Sequence, residues 1–203
     1  MQNVRMLALI ERTFMSRHSV LRLVDYNIRE LPASIARITF LVKLYLSRNE
    51  ITSLPQEFES LQNLVTLALD YNRLTSVPNL TSFTNLVQLN LSHNPIGQLP
   101  PEIGKLTSLE VLWVNETQLT TLPSEMGNLI HLETLGARGN ALRELPAELF
   151  SLTNLRWVTF ERNRVHSLPV SEGSSSSIIH LNLSQNRLTE VPPCLNGFKV
   201  GYM

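Results

Sequence analysis

Eight of the eleven prolines in this 203-residue chain stand at almost constant intervals, six of 23 residues and one of 22. The prolines of this series are Pro32, Pro55, Pro78, Pro100, Pro123, Pro146, Pro169 and Pro192. Residues 86–100 show the repeated unit, in which Leu86, Leu89 and Leu91 precede Asn94 and then the proline. One such unit cannot bury its own apolar face, so the period predicts units stacked side by side around a shared core.

Each position of the unit has a role that follows from its chemistry. The alternation of apolar and polar residues at Leu89 and Leu91 predicts a short strand with one buried side. The amide of Asn94 can bond backbone groups where the chain leaves the strand, so stacked asparagines are expected to form a ladder. The proline ends strand pairing because it has no N–H to donate. Beyond Pro100, apolar residues three positions apart predict a 3₁₀ or short helical segment on the outer side.

Three units depart from this pattern. In the first unit Tyr26 occupies the asparagine position and Asn27 follows one place late, which predicts an irregular turn. In the fifth unit Thr117 replaces the asparagine, and a hydroxyl bonds fewer backbone groups than an amide does. In the sixth unit Ala137 replaces an inward leucine, and we expect the larger Phe160 of the next unit to fill that space.

The ends of the chain fall outside the repeat. Residues 1–17 are predicted to form an N-terminal capping segment, for which helical spacing favours an amphipathic helix over the first unit. The residues of this predicted face are Val4, Leu7, Glu11, Phe14 and Met15. A strand through Val4, Leu7 and Leu9 is the alternative. Residues 18–200 are expected to form eight repeats, and residues 201–203 the C-terminal end. The serine-rich composition of Ser171–Ser177 predicts a solvated loop, and the alternative is a loop regulated by phosphorylation.

Charge and cysteine content restrict the possible functions. The formal net charge is zero, from 17 basic and 17 acidic residues, which argues against a general nucleic-acid footprint or an anionic membrane surface. Cys194 is the single cysteine, so no disulfide can form within the chain. The apolar run before Glu11 is shorter than that of a signal peptide, and no run approaches the roughly 18–20 residues of a membrane span. We therefore predict a cytoplasmic protein with no membrane span.

The chain contains little that could carry catalysis. Its five histidines stand at different positions of the repeat, and no histidine, cysteine or acidic group has metal-ligand spacing. No phosphate-binding glycine loop occurs, and Cys194 has no evident activating neighbour. We therefore predict that the protein is not an enzyme and uses no cofactor and no metal.

The concave face of the predicted sheet remains as the candidate site, because residues beside the inward leucines form columns across the strands. Both tryptophans fall on this face, at positions that core packing does not demand. Aromatic and arginine residues dominate binding hot spots, so we expect a protein partner here. The candidate residues are Trp113, Trp157, Arg138, Arg162, Glu116, Glu161, Tyr45, Tyr71 and His93. The alternative is that the exposed aromatic residues only pack sideways on their neighbours.

We expect the main contact to centre on the fifth to seventh units. There Trp113 and Trp157 would form two walls roughly 10 Å apart, with Gly136 and Gly139 as a low floor. Such a groove could take an apolar side chain of a partner. A charged rim would orient the partner more than it would add affinity. The expected rim consists of Arg138 and Arg162, facing Glu116 and Glu161.

The unit Leu-x-x-Leu-x-Leu-Ser-x-Asn-x-Leu-x-x-Leu-Pro resembles the 23-residue leucine-rich repeats of the Ras-group class. That class includes plant intracellular Ras-group-related proteins, Ras–Raf pathway scaffolds and Scribble/Erbin-type polarity proteins. The resemblance covers residues 18–200. It implies an α/β fold, namely a right-handed leucine-rich repeat solenoid or horseshoe. The concave side would be a parallel β-sheet of about eight strands, with short 3₁₀ or α segments on the convex side.

The same resemblance implies a scaffold or adaptor that binds a protein partner on its concave face in intracellular signalling. A small GTPase, a phosphatase or a kinase is the kind of partner it implies, and no nucleic acid is expected. The alternative is the recognition domain of a larger enzyme or regulatory chain, of which this sequence would be a truncated part.

Overall fold

The computed structural model describes residues 2–169 and 177–189. Within these ranges the chain forms one open sheet of eight parallel strands, ordered as in the sequence. The strands are β1 Val20–Arg22, β2 Lys43–Tyr45, β3 Thr66–Ala68, β4 Gln88–Asn90, β5 Val111–Trp113, β6 Thr134–Gly136, β7 Trp157–Thr159 and β8 His180–Asn182. The predicted solenoid with a parallel sheet of about eight strands is confirmed.

The strands pair in register, each with the equivalent residues of the next repeat. Leu44 in β2 stands opposite Leu21 in β1 and Leu67 in β3, and the pairing continues to Leu181 in β8. The central residue of every described strand is buried, while the two flanking positions are mostly exposed or half-buried. The buried residues form one contiguous core along the repeats, as stacked units require.

Short 3₁₀ segments cover the convex side of five of the described repeats. They span Ala33–Arg37, Gln56–Ser60, Pro101–Lys105, Ser124–Asn128 and Ala147–Ser151. Each segment begins after a proline of the series, and the carbonyl oxygen of that proline accepts a hydrogen bond from the N–H three residues later. In the fourth repeat, for example, the Ile103 N–H donates to the Pro100 carbonyl oxygen at 3.0 Å. The predicted outer segments are therefore confirmed for these repeats.

The third repeat, which is one residue shorter, has a different outer side. Between β3 and β4 it has no 3₁₀ segment, and Asn79 Oδ1 instead accepts bonds from the N–H of Thr81 at 3.2 Å and its hydroxyl at 2.9 Å. The buried ring of Phe83 fills the core here, 5.6 Å from the ring of Phe58. Three surface grooves of about 240, 220 and 480 Å³ share Val77 as a lining residue. The missing residue thus leaves the outer surface incompletely filled.

The asparagines form the predicted ladder. Buried Asn94 donates from Nδ2 to the carbonyl oxygen of Leu91 in its own repeat and to that of Leu69 in the preceding one, both at 2.9 Å. Its Oδ1 accepts a bond from the Leu74 N–H at 2.9 Å. The same links to the preceding repeat are made by Asn49, Asn72, Asn140, Asn163 and Asn186. Each of these asparagines therefore crosslinks two repeats.

The two repeats without a ladder asparagine have irregular turns. Asn27 and Gln118, which directly follow Tyr26 and Thr117, adopt positive φ angles of 51° and 64°. Buried Thr117 donates from Oγ1 to the carbonyl oxygen of Val114 at 2.7 Å, within its own repeat. A hydroxyl has a single hydrogen, so this side chain cannot also donate to the preceding repeat as an amide does.

The N-terminal segment is helical, and α1 spans Gln2–Ser16. The face that it buries differs from the predicted one. Met6, Ile10 and Thr13 are buried against the first repeat, and Leu9 and Phe14 pack partly on the core.

Val4, Leu7 and Met15, which we expected to face the first repeat, are exposed instead, so that part of the prediction is wrong. The physical reason lies in Glu11, which shares their side of the helix. Its carboxylate pairs with the Arg37 guanidinium at the surface, and a charged group does not enter a core without cost.

Ala137 and Phe160 are both fully buried and occupy equivalent positions in adjacent repeats. The Ala137 N–H donates to the carbonyl oxygen of Thr159 at 2.9 Å, which places the two side chains next to each other in the stack. Their expected sharing of volume stays a prediction. Residues 171–176 of the serine-rich stretch, Cys194 and the end at 201–203 lie outside the described residues.

Candidate protein interface

Trp113, the last residue of β5, lies across the neighbouring strand. A Cβ atom built on Gly136 in β6 would come within 2.1 Å of Cε3 and 2.4 Å of Cζ3 of the indole. The ring therefore rests on the backbone of the next repeat, in a place that only a glycine leaves open. Trp113 is half-buried as a result and is held by the sheet itself.

Trp157, the first residue of β7, is 53% exposed. Its ring stacks on the imidazole of His180, the equivalent residue of β8, with 5.2 Å between the ring centroids and 30° between the planes. The stack restricts the indole while leaving one of its surfaces open. A large aromatic side chain in a fixed orientation loses little conformational entropy when it binds a partner.

The two tryptophans do not enclose the open groove that the sequence suggested. Trp113 covers Gly136, and a Cβ atom on Gly139 would lie 2.8 Å from Cγ of Glu116. Side chains of the fifth repeat therefore cover both glycines of the expected floor, and the prediction of a low floor is wrong. Glycine permits this close approach, but the direction of the indole depends on a rotamer that residue spacing does not specify.

A row of side chains projects from the turns that follow the strands, and we call Arg48, Tyr71, His93 and Glu116 the turn row. Each directly precedes the ladder position, and their φ angles lie between 52° and 56°. Gly139 takes the same place in the sixth repeat with a φ of 68°. The left-handed backbone thus recurs from repeat to repeat, so the side chains at this position leave the chain in the same direction.

The members of the turn row contact one another in sequence. The Arg48 guanidinium lies 5.7 Å from the ring centroid of Tyr71, and the rings of Tyr71 and His93 stack 4.0 Å apart at 13°. His93 Nδ1 lies 3.3 Å from Oε2 of Glu116. Tyr71 is still 47% exposed. Four repeats therefore share one ordered band of aromatic and charged groups at the edge of the concave sheet.

The predicted charged residues form a different pairing from the expected rim. Arg138 Nη2 lies 3.5 Å from Oε1 of Glu161, whose Oε2 accepts a bond from Asn182 Nδ2 at 3.2 Å. Glu116 pairs with His93 rather than with an arginine, and the side chain of Arg162 is exposed. These polar contacts therefore follow the stacking direction, from each repeat to the next.

The nine candidate residues fall into two groups along the solenoid. Tyr45, Tyr71 and His93 belong to the second to fourth repeats, where the Arg22 guanidinium also lies 4.1 Å over the Tyr45 ring. The other candidates belong to the fifth to seventh repeats. They are Trp113, Glu116, Arg138, Trp157, Glu161 and Arg162.

Two regular features escaped the reasoning from sequence. The left-handed turn residue is one of them, although Gly139 at that position was a signal for it. The other is a second ladder at the start of the strands, where Asn63 and Asn154 donate from Nδ2 to Thr39 and Ile130 carbonyl oxygens, both at 2.8 Å. Its signal was an asparagine that recurs three residues before a strand. Both features recur along the sheet that carries the candidate residues.

Among the described residues no cluster of three or more histidine, cysteine or acidic side chains could hold a metal ion. In the same part of the chain no helix has the length and apolar character that crossing a bilayer requires. The side chains that the concave side presents are aromatic rings, guanidinium groups and carboxylates.

The fold and the site place this chain in a class of protein, the repeat solenoids whose concave side presents ordered aromatic and charged residues. Leucine-rich repeat models match residues 39–96 and 177–198, and a model of two leucine-rich repeat copies matches residues 84–125. These matches together span more than half of the chain. The chain is a leucine-rich repeat protein, and such proteins generally serve as protein-interaction modules.

Two solved structures resemble this chain over most of its length. A leucine-rich repeat protein of Leptospira interrogans has a TM-score of 0.77 and 32% identity, over 84% of this chain and 50% of that one. The second is the leucine-rich repeat ectodomain of the plant membrane receptor kinase GASSHO1/SCHENGEN3 from Arabidopsis thaliana, in complex with Casparian strip integrity factor 2. It has a TM-score of 0.71 and 31% identity, over 80% of this chain and 20% of that one.

A curated relative matches a shorter part of the chain. An adenylate cyclase of Podospora anserina is 43% identical over 89 residues, which are 43% of this chain and 4% of that protein. The chain thus spans a twenty-fifth of this relative, and half or less of the two structural relatives.

Proposed function

We propose that this protein is a scaffold or adaptor that captures a protein partner on its concave face. The observation that carries the proposal is the ordered exposure of large aromatic groups on a rigid sheet. Trp157 and Tyr71 expose about half of their surface, and each is stacked on a histidine of the next repeat. Aromatic side chains that are pre-oriented in this way are typical of binding hot spots.

Sideways packing alone is the competing interpretation of these rings, and it fits Trp113 better than Trp157. Trp113 rests on Gly136 and is half-buried, so part of its surface is used within the sheet. Trp157 keeps more of its surface open. We therefore place the centre of the contact at the seventh repeat, with Trp113 and the Arg138–Glu161 pair beside it.

The kind of partner and the cellular compartment belong to the same proposal. The likeness to Ras-group repeats supports intracellular signalling, with a small GTPase, a phosphatase or a kinase as partner. The single cysteine among 203 residues supports a reducing cytoplasm. The Arabidopsis ectodomain, crystallised with Casparian strip integrity factor 2, gives a precedent for a solenoid of this shape in a complex.

Capture from cell lysate with the immobilised full chain tests the proposal. We expect Trp157→Ala to weaken capture by roughly 2 kcal/mol or more, about 30-fold, because the exposed indole is lost from the centre of the contact. Trp113→Ala should also weaken capture, but by less, because part of that indole is already covered within the sheet. The control is Ile130→Ala, which removes a comparably exposed apolar group outside the strands.

All variants should melt cooperatively, since none of these side chains is in the core. Captured proteins would be identified by quantitative mass spectrometry and their affinities then measured singly. Capture that survives both tryptophan substitutions in well-folded protein would refute binding at this part of the concave face.

A second candidate function has its own observation. The Podospora anserina adenylate cyclase shows that repeats 43% identical to these occur within a chain about twenty-five times longer than the matched part. The present repeats could accordingly act as the recognition domain of a larger enzyme or regulatory chain. Sequencing the full transcript distinguishes the two, because an adaptor has no catalytic domain in the same reading frame.

A further inference from the structure

The outer face of α1 is not covered by the solenoid. Val4, Leu7 and Met15 lie along this face and are 69%, 42% and 77% exposed. At about 100° per residue they fall within one apolar stripe on the side of the helix away from Met6, Ile10 and Thr13. An apolar stripe that the fold leaves open points to an interaction surface.

Arginines border this apolar stripe on both sides. Arg5 and Arg12 are exposed on one flank of the helix. On the other flank stands Arg37 of the first repeat, whose guanidinium pairs with Glu11 and lies 4.3 Å over the ring of Phe14. Arg37 thereby neutralises the carboxylate on the stripe, and the flank that carries Arg5 and Arg12 is cationic.

The chain has no net charge as a whole, but its N-terminal part has an excess of positive charge. Residues 1–24 contain four arginines and a single acidic residue, so they carry a net charge of +3. The remaining residues must carry −3, because the sum is zero. The basic charge is therefore concentrated at the end of the solenoid that α1 covers.

We propose that the outer face of α1 binds the surface of an anionic lipid bilayer. Val4, Leu7 and Met15 would enter the boundary between headgroups and acyl chains, while Arg5 and Arg12 contact lipid phosphates. An amphipathic helix with a cationic border is suited to this environment, where apolar burial and attraction to anionic lipid add together. The concave face stays open to a protein partner, because α1 packs on β1 and on the first 3₁₀ segment.

The form of the stripe favours a bilayer over an acidic protein partner. Val4 and Met15 are eleven residues apart, about 16 Å along the helix, and Glu11 interrupts the stripe between Leu7 and Met15. The stripe contains no aromatic anchor, whereas protein hot spots usually have one seated in a matched pocket. Fluid acyl chains accommodate scattered side chains without such a match.

Co-sedimentation of the full chain with vesicles tests the proposal. One set contains phosphatidylcholine with phosphatidylserine, and the other contains phosphatidylcholine alone. We expect binding to the anionic set that weakens as salt rises, since arginine–phosphate attraction is screened. The double variants V4S/M15S and R5E/R12E should each bind roughly tenfold or more weakly, because each removes one of the two contributions.

Matched controls separate this face from the rest of the molecule. R143E/R164E makes the same charge change on exposed arginines of the sixth and seventh repeats and should bind as wild type does. W113A/W157A should also bind vesicles normally, because lipid binding does not depend on the proposed concave interface.

Several results would overturn the lipid assignment. They are failure of the wild-type chain to sediment with anionic vesicles, full binding by both α1 double variants, and binding of an acidic amphipathic peptide in place of vesicles. The last result would make the face a protein interface. Self-association that V4S/M15S abolishes, without vesicle binding, would likewise overturn it in favour of a second copy of the chain.

Discussion

Single side chains hold neighbouring repeats together in this molecule. The buried amide of Asn94 bonds backbone groups of Leu69, Leu74 and Leu91, which belong to two different repeats. Surface ion pairs such as Arg29–Glu50, at 3.0 Å, are solvent-exposed and contribute little by comparison. Among the polar contacts between repeats, those at the turns therefore stabilise most, because an amide there satisfies buried backbone groups.

Removing one rung of the ladder should be costly. We expect Asn94→Ala to lower the free energy of unfolding by roughly 1–3 kcal/mol, because buried backbone groups lose their partner. Chemical denaturation measures this loss. Asn128→Ala, at an exposed asparagine at the end of a 3₁₀ segment, is the control and should change stability by less than about 0.5 kcal/mol. Equal effects of the two substitutions would contradict a special role for the ladder.

Completing the ladder should have the opposite effect. An amide in Thr117→Asn could donate to Val114 in its own repeat and to Leu91 in the preceding one, as Asn94 does to Leu91 and Leu69. We expect a gain of about 1 kcal/mol in chemical denaturation. Thr117→Val, which removes the hydroxyl while keeping the side-chain shape, should instead lose stability. No gain for the asparagine would show that the irregular turn at Gln118 prevents the added bond.

Adjacent repeats also share volume across the core. Ala137 and Phe160 occupy equivalent inward positions in the sixth and seventh repeats and are both fully buried. Phe160→Leu should open a cavity and lose roughly 1–3 kcal/mol, and adding Ala137→Leu should recover part of that loss. A double-mutant cycle measures the coupling. Strict additivity of the two changes would show that the residues do not compensate each other.

The strands, the ladder and the outer 3₁₀ segments were predictable because each depends on residue type at a fixed phase of the repeat. The shortened third repeat loses its outer segment, and the 22-residue spacing marked that place in advance. Contacts between neighbouring side chains were harder to predict from the sequence. The seating of Trp113 on Gly136 depends on a rotamer, and the stack of Tyr71 on His93 depends on a left-handed turn.

The inward face of α1 was misassigned because the helix carries two apolar stripes. The stripe that contains the charged Glu11 stays at the surface, and the uncharged stripe is buried. Met6, Leu9, Ile10, Thr13 and Phe14 follow the spacing i, i+3, i+4, i+7, i+8 without a charged member. That more regular stripe was the signal available in the sequence.

For the whole molecule, the open ends are the weak points of a stack in which each repeat contacts only its neighbours. α1 covers one of these ends with Ile10, which is almost completely buried. Ile10→Ala should lower the free energy of unfolding by roughly 2–5 kcal/mol, as for core residues elsewhere. Met15→Ala, at an exposed site of the same helix, is the matched control and should have little effect.

Hydrogen exchange locates the effect of Ile10→Ala along the chain. Exchange should rise first in β1 and β2, while β5 and β6 stay protected, because stability in a linear stack depends on neighbours. A uniform rise in exchange across all the strands would show instead that the solenoid unfolds as one cooperative unit.

The third repeat has lost a residue, and yet Thr66 and Gln88 still pair in register across β3 and β4. The convex side absorbs the change in length, while the columns of the sheet keep their alignment. Unequal recombination within the gene would therefore change the number of repeats without disturbing the alignment of the remaining ones. Adding or deleting a whole unit would lengthen or shorten the recognition face by one row and leave every other row in place. Mutation could then alter the extent of this surface and its side chains independently, without redesigning the fold that presents them.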